Sequence, residues 1–381
     1  MVPTAVAIGP YHCPSTSDDT LREMERVKEL AAYHFVRDSG HSLEEIFWAV
    51  SSVQGQARSA YTDTATVNKE GLQFAFIMFR DACFLLQYML MCTASHEVAP
   101  SLICCLSSTQ AVISRDIMLL ENQIPWVAIE TLRSFRTVPV EEFIAKMGRT
   151  LEVRGRSQRT PFLLDGYRPP HLLGLLHYYK TGRGTNGVPP SVGLRPMSKT
   201  ISAIELQEMG IKLTASKTTK FVDMGIERRL LSGEIFLAPL LLDEIRSCWL
   251  INMAAFEICM GICTGVRGDN EQPVVCSYLA VLAMLMDREE DVHKLRSKRL
   301  VQGELTNKET LDFFKNLIKH ISGGTLYIHI LDEIEDYKLK RRMWIKVRVF
   351  FYTNLKTIIT VVTIIGAIMG IFKVLLSIKE H

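Results

Sequence analysis

The sequence predicts a mainly α-helical fold: a multi-helix globular body, a small β element near residues 211–239, and a C-terminal transmembrane helix. Three observations predict it. Apolar residues recur at helical spacing through most of residues 1–345. The stretch 211–239 is instead short-segmented, turn-punctuated and partly alternating. Residues 357–378 form an apolar run of membrane-spanning length.

The totals bound the class. The chain has 381 residues, 48% of them hydrophobic, which supplies a sizeable core and excludes a disordered chain. With 44 Lys+Arg against 41 Asp+Glu, the net charge of +3 gives no reason to expect a nucleic-acid partner. The nine cysteines are odd in number and irregularly spaced, mostly within apolar stretches, and read as reduced core thiols. The N-terminus lacks a basic region and an unbroken apolar stretch, so no signal peptide is expected.

In chain order, Leu21 to Val36 places Met24, Val27, Leu30, Ala31, His34 and Phe35 on one helical face. Gly71 to Met91 is apolar nearly all round, the pattern of a buried helix. Ser114 to Phe135 reads as a long helix that Pro125 kinks or breaks. Two β segments, Ile211–Ile226 and Arg229–Pro239, are expected to turn at Ser232-Gly233. Leu240 to Cys263 and Val274 to Met286 read as core helices. Thr306-x-x-Glu309 is a capping box opening an amphipathic helix over Leu311 to Ile321, and Leu326 to Lys346 extends toward the membrane span. Residues 148–161 and 181–199 have loop composition, and the second is expected to be flexible.

Thr357 to Ile378 contains 22 residues, thirteen of them Ile, Leu, Val or Phe, and one charge, Lys373. Those thirteen contribute on the order of −4 to −8 kcal/mol toward insertion. A central lysine would oppose this by roughly 2.5–3.5 kcal/mol, but Lys373 lies near one end and can snorkel. The preceding segment carries Lys338, Lys340, Arg341, Arg342, Lys346, Arg348 and Lys356 without an acid among them. That bias predicts a single-pass membrane protein with a cytosolic body over 1–345, a basic juxtamembrane segment over 346–356, and a tail anchor over 357–378. Membrane lipid is therefore one expected partner.

There is no Gly-x-Ser-x-Gly, P-loop or His-Glu-x-x-His, and Gly182-Arg183-Gly184-Thr185-Asn186-Gly187, which fits Gly-x-Gly-x-x-Gly, has loop composition only and lacks the Lys-Ser/Thr continuation of a phosphate cradle. His171 and His177 are six apart, the wrong spacing for a helical metal pair, and Cys259-x-x-x-Cys263 has no second ligand pair. No metal or cofactor is expected. The polar triplet Glu121-Asn122-Gln123 stands between apolar runs just before Pro125 and is expected to bond backbone groups freed at the proline.

Several segments carry a family resemblance. Ile8-Gly9-Pro10-Tyr11-His12 followed by Met24-Glu25-x-x-Lys28, and Asp116-x-x-Leu119-Leu120-Glu121-Asn122-Gln123-Ile124-Pro125, resemble motifs of the plant family called domain of unknown function 247. Asp81-Ala82-Cys83-Phe84, Pro170-His171-Leu172-Leu173, Glu205-Leu206-x-x-x-Gly210, Ala254-Ala255-Phe256-Glu257 and Asp291-Val292-x-x-Leu295 follow that family's further blocks. The chain departs from it at Cys13-Pro14, Ala82 and Gly174. The resemblance implies a plant-specific, often membrane-associated protein from a large, divergent set; some grass members are implicated in self-incompatibility. It supplies no catalytic residues.

The leading expectation is thus a membrane-tethered, non-catalytic interaction or recognition protein that binds a protein partner or its own kind. The alternative is an enzyme with an unrecognised site near His12, Glu121 and His171, which requires those side chains to converge in a cavity.

Overall fold

A computed structural model of the chain describes residues 1–12, 19–62, 71–153, 162–164, 166–182, 201–228, 233–263, 273–321 and 324–353, with Ile365, Met369 and Gly370 beyond them. The described residues are mainly helical with two small sheets, and the chain divides into two compact units, Met1–Ile328 and His329–His381.

In the first unit an extended N-terminal segment leads into α1 (Asp19–Ser39), α2 (Leu43–Ser52) and α3 (Gln54–Arg58). The central helix α4 (Gly71–Thr93) packs against α1 and α2. Every side chain from Asp81 to Leu90 is buried, with Phe74, Ala75, Met78 and Phe79 buried before them and Phe76 exposed, close to what a nearly all-round apolar sequence requires. It is the one helix among the described residues long and apolar enough to cross a membrane, but its apolar window is 78% buried within the fold. The helix therefore serves as core.

Next come α5 (Pro100–Ser107) and α6 (Gln110–Asp116), an irregular segment over 117–125, then α7 (Trp126–Arg133), α8 (Val140–Thr150) and α9 (Leu172–Thr181). The helical pattern over 114–135, expected to kink or break at Pro125, is two helices, and the break takes in the whole polar motif. Pro125 stands at the N-cap of α7, where its missing amide costs nothing. The cysteines also need correction: Cys104, Cys105 and Cys259 are exposed thiols, whereas Cys83, Cys248 and Cys276 are buried. In α5 the inward positions belong to Leu102 and Leu106, one turn apart, which turns Cys104 and Cys105 outward.

The β element follows α10 (Ala203–Glu208), which opens on a capping box between Ser202 and Glu205. Strands β1 (Ile211–Ala215), β2 (Gly225–Arg228) and β3 (Gly233–Leu237) form a sheet of order β1-β3-β2. β2 runs antiparallel to β3, pairing Arg228 with Gly233, while β1 runs parallel to β3. Ser232 of the expected turn lies outside the described residues.

Leu240–Leu242 is a short strand, β4, rather than the start of the helix expected there. It pairs in parallel with β5 (Val301–Gly303). Helices α11 (Glu244–Cys263), α12 (Val274–Leu285), α13 (Glu289–Ser297) and α14 (Asn307–Leu317) complete the layer. The Thr306 capping box is formed: the Glu309 amide donates to Thr306 Oγ1 at 3.2 Å, and Glu309 Oε2 accepts from the Thr306 amide at 2.7 Å.

The second unit is described mainly through α15 (Thr325–Thr353), which covers the helix expected over 326–346. The side chains of Arg341, Arg342, Lys346 and Arg348 lie outside the description, as does Lys356; Lys340 is exposed. The expected flexible loop over 181–199 lies outside the described residues from 183 onward. The expected membrane span likewise lies outside them except at Ile365, Met369 and Gly370, whose backbone is helical.

Candidate functional site

The residues with the most distinctive sequence signal meet at the N-terminal segment. Ala5, Val6, Ala7 and Ile8 are almost wholly buried, although the segment belongs to no sheet. Buried backbone amides need acceptors, and side chains provide them. Asp116 Oδ2 accepts from the amides of Thr4, Ala5 and Val6 at 2.8, 2.7 and 3.2 Å. Asn122 Oδ1 accepts from Ile8 N at 2.6 Å, and its Nδ2 donates to Val6 O at 3.0 Å and Asp116 O at 2.9 Å. Asp81 Oδ2, on α4, accepts from Gly9 N at 2.8 Å, and Lys28 Nζ, on α1, donates to Ala7 O.

The charges in this clasp are balanced underneath. Lys28 and Asp81, each 1% exposed, are 2.9 Å apart. Lys28 also meets Glu25 at 2.6 Å, and Arg80 pairs with both Glu25 and Asp81. Two acids and two bases compensate one another, which makes their burial tolerable. Gly9 is required at its position. Its φ is +77°, and an added Cβ would stand 2.7 Å from Gln123 O.

Gln123 holds the irregular segment itself. Its Nε2 donates to Ile117 O at 2.7 Å and Leu119 O at 2.8 Å, and its Oε1 accepts from Leu173 N at 3.0 Å. Tyr61, packed edge-on against Tyr11, donates to Gln123 O at 3.1 Å. Asn252 Oδ1 accepts from Leu120 N at 2.8 Å, and the Trp126 amide donates to Pro170 O at 2.8 Å. Glu121 is the exception. It points outward, 67% exposed, with the amino group of Met1 at 3.9 Å.

The other family-motif residues form a second cluster. His171 caps α9, its Nδ1 accepting from Gly174 N at 3.1 Å, and Phe256 packs edge-on against both His171 and His177. Burial, reinforced by nearby His177, lowers the His171 pKa to about 4, so the ring is neutral and suited to accept. Glu257 accepts from the amides of Val275 and Cys276, each at 2.8 Å, at the start of α12, and its Oε1 lies 2.7 Å from His177 Nε2. This carboxylate fastens α11 to the N-terminus of α12, where negative charge is favoured.

The three residues of the enzyme alternative are differently placed. Glu121 is at the surface. The His12 pKa is lowered by burial, with Glu121 and Asp116 acting in the opposite direction. His171 is committed to its cap, and two cavities among the described residues, of about 410 and 300 Å³, are lined by other residues. No metal-ligating cluster of His, Cys, Asp or Glu occurs among the described residues.

Asp116, Asp81 and Lys28 complete the clasp, though sequence reasoning did not single them out as site residues. A signal was present. Asp81 is the one acid in the largely apolar α4, and Lys28 shares the inward face of α1 with Met24, Ala31 and Phe35. An acid and a base, each alone on a buried face, require each other.

The geometry thus defines a mainly helical protein whose two most distinctive motifs are joined in one internal clasp. The chain belongs to the DUF247 family, described as plant protein of unknown function, which it matches over residues 1–369. It is similar to the UPF0481 protein At3g47200 of Arabidopsis thaliana, at 25% identity over 349 residues, covering 84% of this chain and 69% of that protein. A second Arabidopsis thaliana UPF0481 protein, At3g02645, is 30% identical over 141 residues, 36% of this chain and 25% of its own length. No solved structure matches this chain.

Proposed function

We propose that this protein is a membrane-held, non-catalytic interaction protein, its folded body presented to the cytosol and its attachment made through residues 357–378. One observation carries the non-catalytic half. The polar motif side chains Asp116, Asn122 and Gln123 are buried and bonded to the chain's own backbone, leaving none of them open to a substrate. Their function is to fix the fold, and variable surface segments around that fold are then free to supply recognition. Supporting the membrane half is the apolar run of 22 residues after a basic segment, in which Ile365 and Met369, one turn apart, are exposed apolar residues on helical backbone. The family resemblance adds recognition between cells, as in self-incompatibility, as one biological setting for such a protein.

The test is protease protection in intact microsomes, with the protein tagged at either end. The reading expects the N-terminal tag to be digested without detergent, and the body to retrieve a reproducible protein partner or its own copies after crosslinking. Full protection of the N-terminal tag would overturn the topology, and retrieval of nothing above background would overturn the interaction role.

A further inference from the structure

A cavity of about 300 Å³ opens where α4, α6, α8 and α11 meet. Its inner wall is aromatic: Tyr88, Phe143 and Trp249 line it and are almost wholly buried. The Tyr88 and Phe143 rings stand edge-to-face, 6.1 Å apart. The polar atoms of this wall are already engaged. The Tyr88 hydroxyl donates to Gln110 O at 3.2 Å, and Trp249 Nε1 donates to Ser114 O at 3.0 Å. What remains for a ligand there is ring surface.

Three charged residues complete the lining, and two of them cancel. Arg246 is paired with Asp243. Lys146, exposed at the mouth, has no acid partner among the described residues. Its Nζ donates to Cys92 O at 2.6 Å, which uses one of its three N–H bonds. Cys92 adds no negative charge, because burial raises its thiol above the ordinary range. The cavity is thus an apolar slot with one uncompensated positive charge at its edge.

That combination selects a class of ligand. A volume near 300 Å³ lies at the small end of sites for small molecules. A bare inorganic anion needs donors converging from several sides, and here the spare N–H bonds belong to one side chain. An uncharged ring leaves the ammonium unused. A planar ring carrying a carboxylate meets both features, by edge-to-face packing on the aromatics and by a charge-assisted hydrogen bond from the ammonium.

We propose that this cavity binds a small aromatic carboxylic acid, its ring against Tyr88, Phe143 and Trp249 and its carboxylate at Lys146. The inference goes beyond the proposed interaction role. It is independent of membrane attachment, because every residue named lies in the first unit.

The experiment is isothermal titration calorimetry of the full chain in detergent micelles, with trans-cinnamate as ligand, trans-cinnamamide as its uncharged counterpart and empty micelles as blank. Cinnamate binds saturably, and the amide binds at least about tenfold more weakly. Lys146→Gln, which keeps a donor for Cys92 O, weakens cinnamate binding by as much. Ala111→Trp, at the exposed mouth, fills the cavity and removes binding. Bound cinnamate slows alkylation of Cys92 by iodoacetamide, mapped by mass spectrometry, and leaves the exposed Cys104 unaffected. Equal binding of acid and amide, or of wild type and a natively folded Lys146→Gln variant, would overturn the role of the charge. Binding that survives in a natively folded Ala111→Trp variant, or that leaves Cys92 alkylation unchanged, would overturn the location. Absence of saturable cinnamate binding by the wild type up to about 1 mM would overturn the proposal outright, leaving the membrane and partner results untouched.

Discussion

Asp116→Ala tests the clasp most severely. The carboxylate is fully buried and one of its oxygens serves three amides, those of Ala5 and Val6 inside the core and that of Thr4 at its margin. Alanine leaves all three without that acceptor. A buried donor left unmade costs about 1–3 kcal/mol, so the two interior amides alone give roughly 2–6 kcal/mol. Arg115, bonded to the other oxygen and about a quarter exposed, can turn to water and adds little. The loss falls first on the segment itself. Hydrogen exchange followed by mass spectrometry should show residues 4–9 opening on the order of 30-fold to 10⁴-fold more readily than in wild type. Unchanged protection there, in a variant with native circular dichroism, would refute the claim that Asp116 holds the segment.

Neighbouring substitutions should separate the inward and outward members of the same motif. Gln123→Ala should lower unfolding stability by about 2–4 kcal/mol in urea titration, because it frees Leu173 N together with the Ile117 and Leu119 carbonyls. Glu121→Ala should stay within about 0.5 kcal/mol, its side chain being exposed. Gly9→Ala should cost roughly 1–2 kcal/mol for left-handed backbone alone, and more because its Cβ would displace the Gln123 carbonyl, measurable as a lowered Tm. His171, neutral in the fold down to about pH 4 and protonated near 6.5 when unfolded, makes the unfolded state bind the extra proton between those values. Stability should therefore fall as pH drops from 6.5 to 4, by on the order of 3 kcal/mol from this group. His171→Asn, which keeps a capping oxygen, should flatten that part of the profile relative to wild type in pH-dependent denaturation.

Much of the body was legible because helices announce themselves through spacing. The all-round apolar sequence of α4 and the Thr306 capping box both appear as expected. The break over 117–125 was harder to foresee. Propensity favours helix at Met118, Leu119 and Leu120, and what overrides it is long-range: Asn252 takes the Leu120 amide, and Asn122 turns to a segment more than a hundred residues away. Strand β4 was hidden for the same reason, since three leucines suit a strand only once Val301–Gly303 lies beside them. At the clasp, the motif identified the right stretch but not the direction of each side chain. Glu121, the most conspicuous acid in sequence, faces outward, while the buried charge work falls to Asp81, Lys28 and Asp116.

The proposed function turns on whether residues 357–378 reside in lipid, and alkaline carbonate extraction of plant microsomes tests that most directly. The full chain should remain in the membrane pellet and float with vesicles in a density gradient, whereas a chain ending at Thr353 should be released. Full-length protein recovered in the carbonate supernatant, folded and unclipped, would contradict the account.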